Sequence, residues 1–322
     1  VFPPIDPRPL SPNATGSRVF DARHGHLEGP RQNVRMWSAS RLQEWAKCPR
    51  RGWLSSGLRA REEENQSEDL DQRVHGDLMH EIHYDILHEV LGMKMGEERG
   101  VEGVLRGESP VSIGNSGITE ESLMKTALES LDSRARWLER TDATATHWRK
   151  ELSGMDQGEW RDWLSNPAPK SLSGRIGAMI STEFSVSGAM PIAIEWDISG
   201  PDKSGTEISL SPQLSGTEMQ EIPPILVRGW IDRVDLLPHD ESGEVWVDEA
   251  GSDTVAPLRI HDSGWKPKRL IAIRDLKTTI SKSPDERHKT GLLDELQLAI
   301  YSRAWEVRHP GDLVVGAGIS QM

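Results

Sequence analysis

The chain has 322 residues, with 51 Asp and Glu against 38 Lys and Arg, for a net charge of −13. That balance argues against a general nucleic-acid coat, which would be basic, but leaves room for a local groove built from Arg, which outnumbers Lys 27 to 11. A single Cys excludes an internal disulfide and any zinc or iron–sulfur site made from this chain's thiolates alone; 12 Trp are too many for a disordered chain, and no apolar run is long enough to span a membrane.

The opening Val1-Phe2-Pro3-Pro4 lacks the basic start and apolar stretch of a signal peptide. Starting on Val and ending at Met322, just after the apolar run Leu313–Ile319, the chain reads as a piece of something longer. Residues 1–36 read as an arm or linker, with Pro, Gly and Asn scattered and no periodicity.

Ser38 to Cys48 is predicted as a short helix capped by Ser38 or Ser40, with Leu42, Trp45 and Ala46 on its apolar face. The charged run Arg59–Asp71 reads as solvated. Leu70 to Leu91 is predicted as a long amphipathic helix, with Leu78, Ile82, Ile86 and Val90 at helical spacing. The Gly-bearing stretch 93–116 reads as loop. Two further helices, Glu120–Thr141 and Ala145–Leu164, carry the apolar anchors Leu123, Leu128, Leu131, Trp137, Trp148, Trp160 and Trp163, which makes about 95–170 a helical insertion.

After Pro167 the pattern turns to strands at Ile180–Val186, Ile192–Ile198 and Ile225–Leu237, and Val245–Val247 is expected to pair with the last of these. Residues from about 239 to 265 read as an acidic loop insertion. A strand at Leu270–Lys277, a helix at Leu292–Val307 and a strand at Leu313–Ile319 close the chain. Helices, then strands, then strand–helix–strand predicts a mixed α/β fold over residues 37–322.

Four clusters carry chemistry. In Ile273-Arg274-Asp275-Leu276-Lys277, strand alternation puts Asp275 and Lys277 on one face, roughly 7 Å apart at Cα. An acid that holds a divalent metal beside an amine that orients water can act on one phosphate; the alternative is a surface ion pair. In Gly229-Trp230-Ile231-Asp232-Arg233-Val234-Asp235, the acids at i and i+3 do not share a face, and Asp232 is the simpler one to meet Asp275 across neighbouring strands. Two carboxylates forced together call for a cation between them; the alternative is an ordinary turn with a salt bridge. His80 on the long helix is a candidate ligand, with His75, His83, His88 and Glu81 nearby and packing as its competing fate. Gln297 and Tyr301, four apart, share a helix face and could brace the Lys or contact a nucleic-acid backbone, while a core aromatic with a polar tip is the commoner fate of such a Tyr.

Taken in order, these pieces resemble the RecB/AddB-type nuclease domains of the PD-(D/E)XK superfamily. Ser38-Ala39-Ser40-Arg41-Leu42 through Cys48-Pro49 is similar to their opening S-x-S-R-L-x-x-(aromatic)-x-x-C-P. Gly76-x-x-x-His80, Gly229-x-Ile231-Asp232-Arg233-x-Asp235, Asp275-Leu276-Lys277-Thr278 and Gln297-x-x-x-Tyr301 resemble the four motifs that follow, and Phe20–Gly25 resembles the segment before the first. The resemblance implies a restriction-endonuclease-like mixed sheet flanked by helices, and hydrolysis of DNA phosphodiesters with Mg²⁺ or Mn²⁺. By that resemblance His80, Asp232, Asp275 and the Leu276 carbonyl bind the metal, Lys277 positions the attacking water, and Gln297 and Tyr301 support the site or touch DNA.

The resemblance also implies a helicase domain or subunit as partner, a role in double-strand-break processing and a cytoplasmic, nucleoid-associated setting. Many relatives hold a [4Fe–4S] cluster with the counterpart of Cys48 and three cysteines beyond the Q-x-x-x-Y helix. Those three are missing here, so either the cluster needs residues beyond this chain or Cys48 is packed as a small hydrophobe. Two other readings fit the motifs: a non-catalytic DNA-binding or scaffold relative, and a stand-alone exonuclease of the CRISPR-associated four-cysteine type. Retention of both the D-x-K and the G-x-I-D acids favours the active nuclease over the first, and the large insertions and upstream arm argue against the second.

Overall fold

The computed structural model of the chain describes residues 36–57, 72–90, 113, 117–139, 146–168, 171–185, 190–209, 224–237, 244–248, 255–259, 267–278 and 296–321. All belong to one compact unit, Met36–Met322. The expectations for the N-terminal arm, for Phe20–Gly25, for the charged run 59–71 and for 93–116 apart from Ile113 fall outside the described residues.

The described elements begin with β1 (Trp37–Ser38), α1 (Ala39–Lys47), α2 (Pro49–Gly52) and one π-helical turn at Trp53–Gly57. Ser38 is the N-cap of α1, its hydroxyl accepting from the Arg41 N–H at 3.3 Å. Leu42 and Trp45 are half-buried on this helix, but Ala46 is exposed and Ala39 supplies the buried apolar contact instead. Helices α3 (Gln72–Val90), α4 (Glu120–Glu139), α5 (Thr146–Ser153), α6 (Gln157–Ser165) and α7 (Arg175–Ser185) come next. Their apolar stripes form one core: Leu78, Met79, Ile82, Ile86 and Leu87 of α3 meet Leu123, Leu128 and Leu131 of α4 and Ile176 and Ile180 of α7.

Two expectations fail here. Residues 180–185 of the strand expected at Ile180–Val186 are helical instead: Ile176, Met179, Ile180 and Glu183 are buried at spacings of three and four, and residues 175–185 form α7. The single helix expected over 145–164 is two. Gly154 adopts φ +77 and packs against the Ser173–Gly174 backbone, where any side chain would collide. Asp156 then opens α6 with a capping box, accepting from Glu159 N while Glu159 Oε2 accepts from Asp156 N, both at 2.9 Å.

The remaining elements are β2 (Met190–Asp197), β3 (Thr206–Ile208), β4 (Ile225–Arg228), β5 (Trp230–Leu237), β6 (Glu244–Asp248), β7 (Val255–Arg259), β8 (Arg269–Lys277), α8 (Leu296–Arg308) and β9 (Asp312–Gln321). The central sheet has the order β2-β5-β8-β9, antiparallel except for the parallel pair β8–β9 that α8 connects. A smaller sheet has the order β1-β4-β3. Val245–Val247 does not pair with the 225–237 region as expected. It lies in β6, which pairs antiparallel with β7, so the acidic insertion contains a two-stranded ribbon. Leu298, Tyr301, Ala304 and Trp305 of α8 are buried in a second core with Ile271 and Ile273 of β8 and Val234 of β5. These mixed sheets with helices packed against them are the α/β architecture expected.

Candidate active site

The site forms where two ladders end. The β5–β8 pairing stops at Arg233↔Arg274, so Asp232 and Asp275 each lie one residue past the last pair. In place of a further rung, Asp232 Oδ2 accepts from the Leu276 N–H at 2.6 Å. Helix α3 delivers His80 into the same place. Its Nε2 lies 3.1 Å from the Leu276 carbonyl oxygen, and its Nδ1 lies 3.7 Å from Asp232 Oδ1 and 3.8 Å from Glu195 Oε1. A spacing of 3.1 Å between Nε2 and a carbonyl oxygen suits a hydrogen bond or two neighbouring corners of one coordination shell. Gly76, one turn before His80, lets α3 approach β8: a Cβ there would come within 3.1 Å of Thr278 Oγ1.

Glu195 went unread in the sequence. It lies in β2 between Ile194 and Trp196, whose partners Arg233 and Ile231 bracket Asp232, so the two acids face each other across the strands. Its φ is +46, a left-handed conformation that costs a non-glycine residue about 1–2 kcal/mol. Strained backbone of this kind clusters at functional sites. The available signal was a charged residue inside the otherwise apolar Ile192-Ala193-Ile194-Glu195-Trp196.

Donor atoms of His80, Glu195 and Asp232 all lie within 4.8 Å of one another. The fit to a hard divalent cation rests on this donor set, one imidazole and two carboxylates. It rests also on uncompensated charge: burial, then the neighbouring Asp275, push the Asp232 carboxyl up to about 7. His80 is held above its ordinary value, because the Glu195 and Asp232 carboxylates together outweigh the opposing effect of its burial. A bound cation would relieve the repulsion among the acids.

Asp275 stands outside that trio and is held from two sides. Lys277 Nζ lies 2.6 Å from Asp275 Oδ2, which shows the pair on one strand face as alternation predicts. Gln297 Nε2 donates to Asp275 Oδ1 at 2.7 Å and to the Tyr301 hydroxyl at 3.0 Å. Tyr301 is buried, and burial followed by the Asp275 and Asp232 charges raises its phenol above the ordinary range. The ring also lies against Gly229, 3.5 Å from where a Cβ would be. Of the residues singled out from sequence, then, the structure brings His80, Asp232, Asp275, Leu276, Lys277, Gln297 and Tyr301 to one place and adds Glu195.

Cys48 is different. It is the C-cap of α1 and is exposed, so it is not packed as a small hydrophobe. A [4Fe–4S] cluster takes four thiolates and this chain has one, so its own cysteines do not fit that group. Among the described residues, no helix is long and apolar enough to cross a membrane.

Comparison with known families finds a match to the model of the PD-(D/E)XK nuclease superfamily over residues 36–249. A comparison with curated proteins returns no match.

Proposed function

Because the chain belongs to the PD-(D/E)XK nuclease superfamily, we propose that it hydrolyses DNA phosphodiester bonds at this site with Mg²⁺ or Mn²⁺. The observation that carries the reading is the convergence of His80, Glu195 and Asp232 donors beside the Asp275–Lys277 pair. His80, Asp232, Glu195, Asp275 and the Leu276 carbonyl are the groups that would hold the cation. When bound, it would polarise a phosphoryl oxygen and make its bound water more acidic.

The protein's own groups divide the remaining work. Lys277, fixed by Asp275, presents an ammonium to the attacking water and offsets charge developing on the phosphate. Gln297 keeps Asp275 aimed by donating to one of its oxygens, and Tyr301 in turn fixes the Gln297 amide. Tyr301 keeps its proton at neutral pH and so acts as a hydrogen-bonding brace rather than as a base.

RecB/AddB-like membership, a helicase partner and a place in double-strand-break repair are supported by the order of the motifs alone. The test is to incubate linear single- and double-stranded DNA with Mg²⁺ or Mn²⁺, comparing the wild type with Asp275→Ala and Lys277→Ala. Degradation by the wild type and by neither variant is the expected outcome. Equal degradation by all three would remove the site, and DNA binding without cleavage by the wild type would point to a scaffold.

A further inference from the structure

Beside the site, on the same two strands, lies a buried charge network that the hydrolytic reading leaves unused. The Arg233 guanidinium, 1% exposed, pairs with Glu183 of α7 and donates through Nε to Asp235 Oδ1 at 2.8 Å. Asp235 is fully buried, and its other oxygen lies 2.8 Å from Arg274 Nε of β8. Arg274 Nη1 stands 4.0 Å from Glu183 Oε1, and the same Glu183 oxygen lies 3.5 Å from His83 Nε2 of α3.

Two members of the network are chain neighbours of site residues, and a third lies one helical turn away. Arg233 follows Asp232, Arg274 precedes Asp275, and His83 is one helical turn beyond His80. Two guanidiniums and two carboxylates balance in formal charge, and burying such a set adds little net stability over apolar packing of the same volume. What it supplies is registry. A planar guanidinium fork donates to its carboxylates in few geometries, so β5, β8 and α7 are held in one mutual arrangement, and α3 meets it where His83 Nε2 stands 3.5 Å from Glu183.

We propose that Arg233, anchored by Glu183, is a positioning residue that sets the spacing between the His80 imidazole on α3 and the Asp232 carboxylate on β5, and so tunes the site's affinity for a divalent cation. The proposal rests on the reading of His80, Glu195 and Asp232 as the metal site. Arg233→Lys keeps the charge but loses the fork, and Glu183→Gln keeps the shape but loses the charge. Arg269→Met is the control: it breaks a two-bond pair with Asp312 at the opposite end of β8, so its cost is purely structural.

The experiment is titration of the full chain with Mn²⁺ alone, free Mn²⁺ being read by electron paramagnetic resonance, with a thermal melt in chelator run alongside. Arg233→Lys and Glu183→Gln are expected to weaken Mn²⁺ binding roughly tenfold or more, as loss of a group that orients metal ligands does. The control is expected to melt lower with its Mn²⁺ affinity unchanged. Wild-type affinity in both folded variants would overturn the proposal and leave the nuclease reading standing; a wild type that binds no Mn²⁺ would overturn both. If Arg233→Lys does not fold, Glu183→Gln decides alone.

Discussion

Replacing Asp232 with Asn is expected to stabilise the metal-free protein while destroying its activity. Asp232 is 12% exposed, and burial followed by Asp275 lifts its carboxyl from 3.8 to about 7. A carboxylate raised in this way favours folding when protonated. Its ionisation costs nothing below the unfolded value, costs progressively more from about pH 4 to pH 7, and reaches its full value above that. The ceiling at pH 8 is about 4 kcal/mol, falling to about 1.6 kcal/mol at pH 5. Asn keeps an oxygen for the Leu276 N–H and removes the charge. With half the ceiling realised, about 2 kcal/mol, the melting temperature of a chain this long rises by roughly 3 °C. The assay is thermal unfolding in chelator at pH 8 and pH 5, repeated with Mn²⁺. Asp232→Asn should melt higher at pH 8, the gap should narrow by more than half at pH 5, and Mn²⁺ at about 100 times its Kd should add about 2.7 kcal/mol to the wild type alone. An Asn variant that melts lower than the wild type at both pH values would refute the account of repelling acids.

Lys277→Met is expected to slow hydrolysis by about 10²–10⁴-fold while leaving DNA affinity in Ca²⁺ intact, read by cleavage rate and fluorescence anisotropy. Gln297→Ala frees the Asp275 carboxylate and should lower activity or metal affinity by about 10–100-fold, measured by Mn²⁺ titration of cleavage. Glu195→Ala should weaken Mn²⁺ binding by about tenfold or more, equivalent to about 1.4 kcal/mol by calorimetry. Glu183 resists protonation because the pull of His83 and Arg233 exceeds the opposing effect of burial. A lowered carboxyl gives stability that is complete above its unfolded value of 4.5 and is lost as pH falls further. Wild type and Glu183→Gln should therefore differ most in melting temperature at neutral pH, and the gap should begin to narrow only below about pH 4.5 and stay open well into the acid range.

What the sequence made legible was local. The stripe Leu78, Ile82, Ile86 and Val90 specified α3, and alternation in Ile271–Lys277 placed Asp275 and Lys277 together, because each pattern is complete within one element. The failures needed information from elsewhere in the chain. Residues 175–185 fold as a helix because α4 covers Ile176 and Ile180, whereas the string Ile180-Ser-Thr-Glu-Phe alternates when read alone. β7 was hidden by Pro257, which suits a strand only where its missing N–H goes unused, as in a two-stranded ribbon. Glu195 looks like a stray charge in an apolar strand until β2 is laid against β5 and Asp232 appears opposite it.

One backbone event accounts for most of the site. Had the β5–β8 ladder run one rung further, the Leu276 N–H would have gone to a carbonyl of β5 and Asp232 would have been an ordinary strand residue. Ending at Arg233↔Arg274 leaves that N–H to the Asp232 carboxylate and the Leu276 carbonyl to His80, so both unpaired backbone groups are satisfied by side chains that could also hold a metal. The same side chains thus close the end of the sheet and gather its charge. An unmade hydrogen bond of this kind costs about 1–3 kcal/mol when buried, comparable with the energy of holding two acids together, so the strands stay forked while the acids stay close. The Arg233 network fits this arrangement: it begins at the last paired residues, where two strands about to separate most need a fixed spacing.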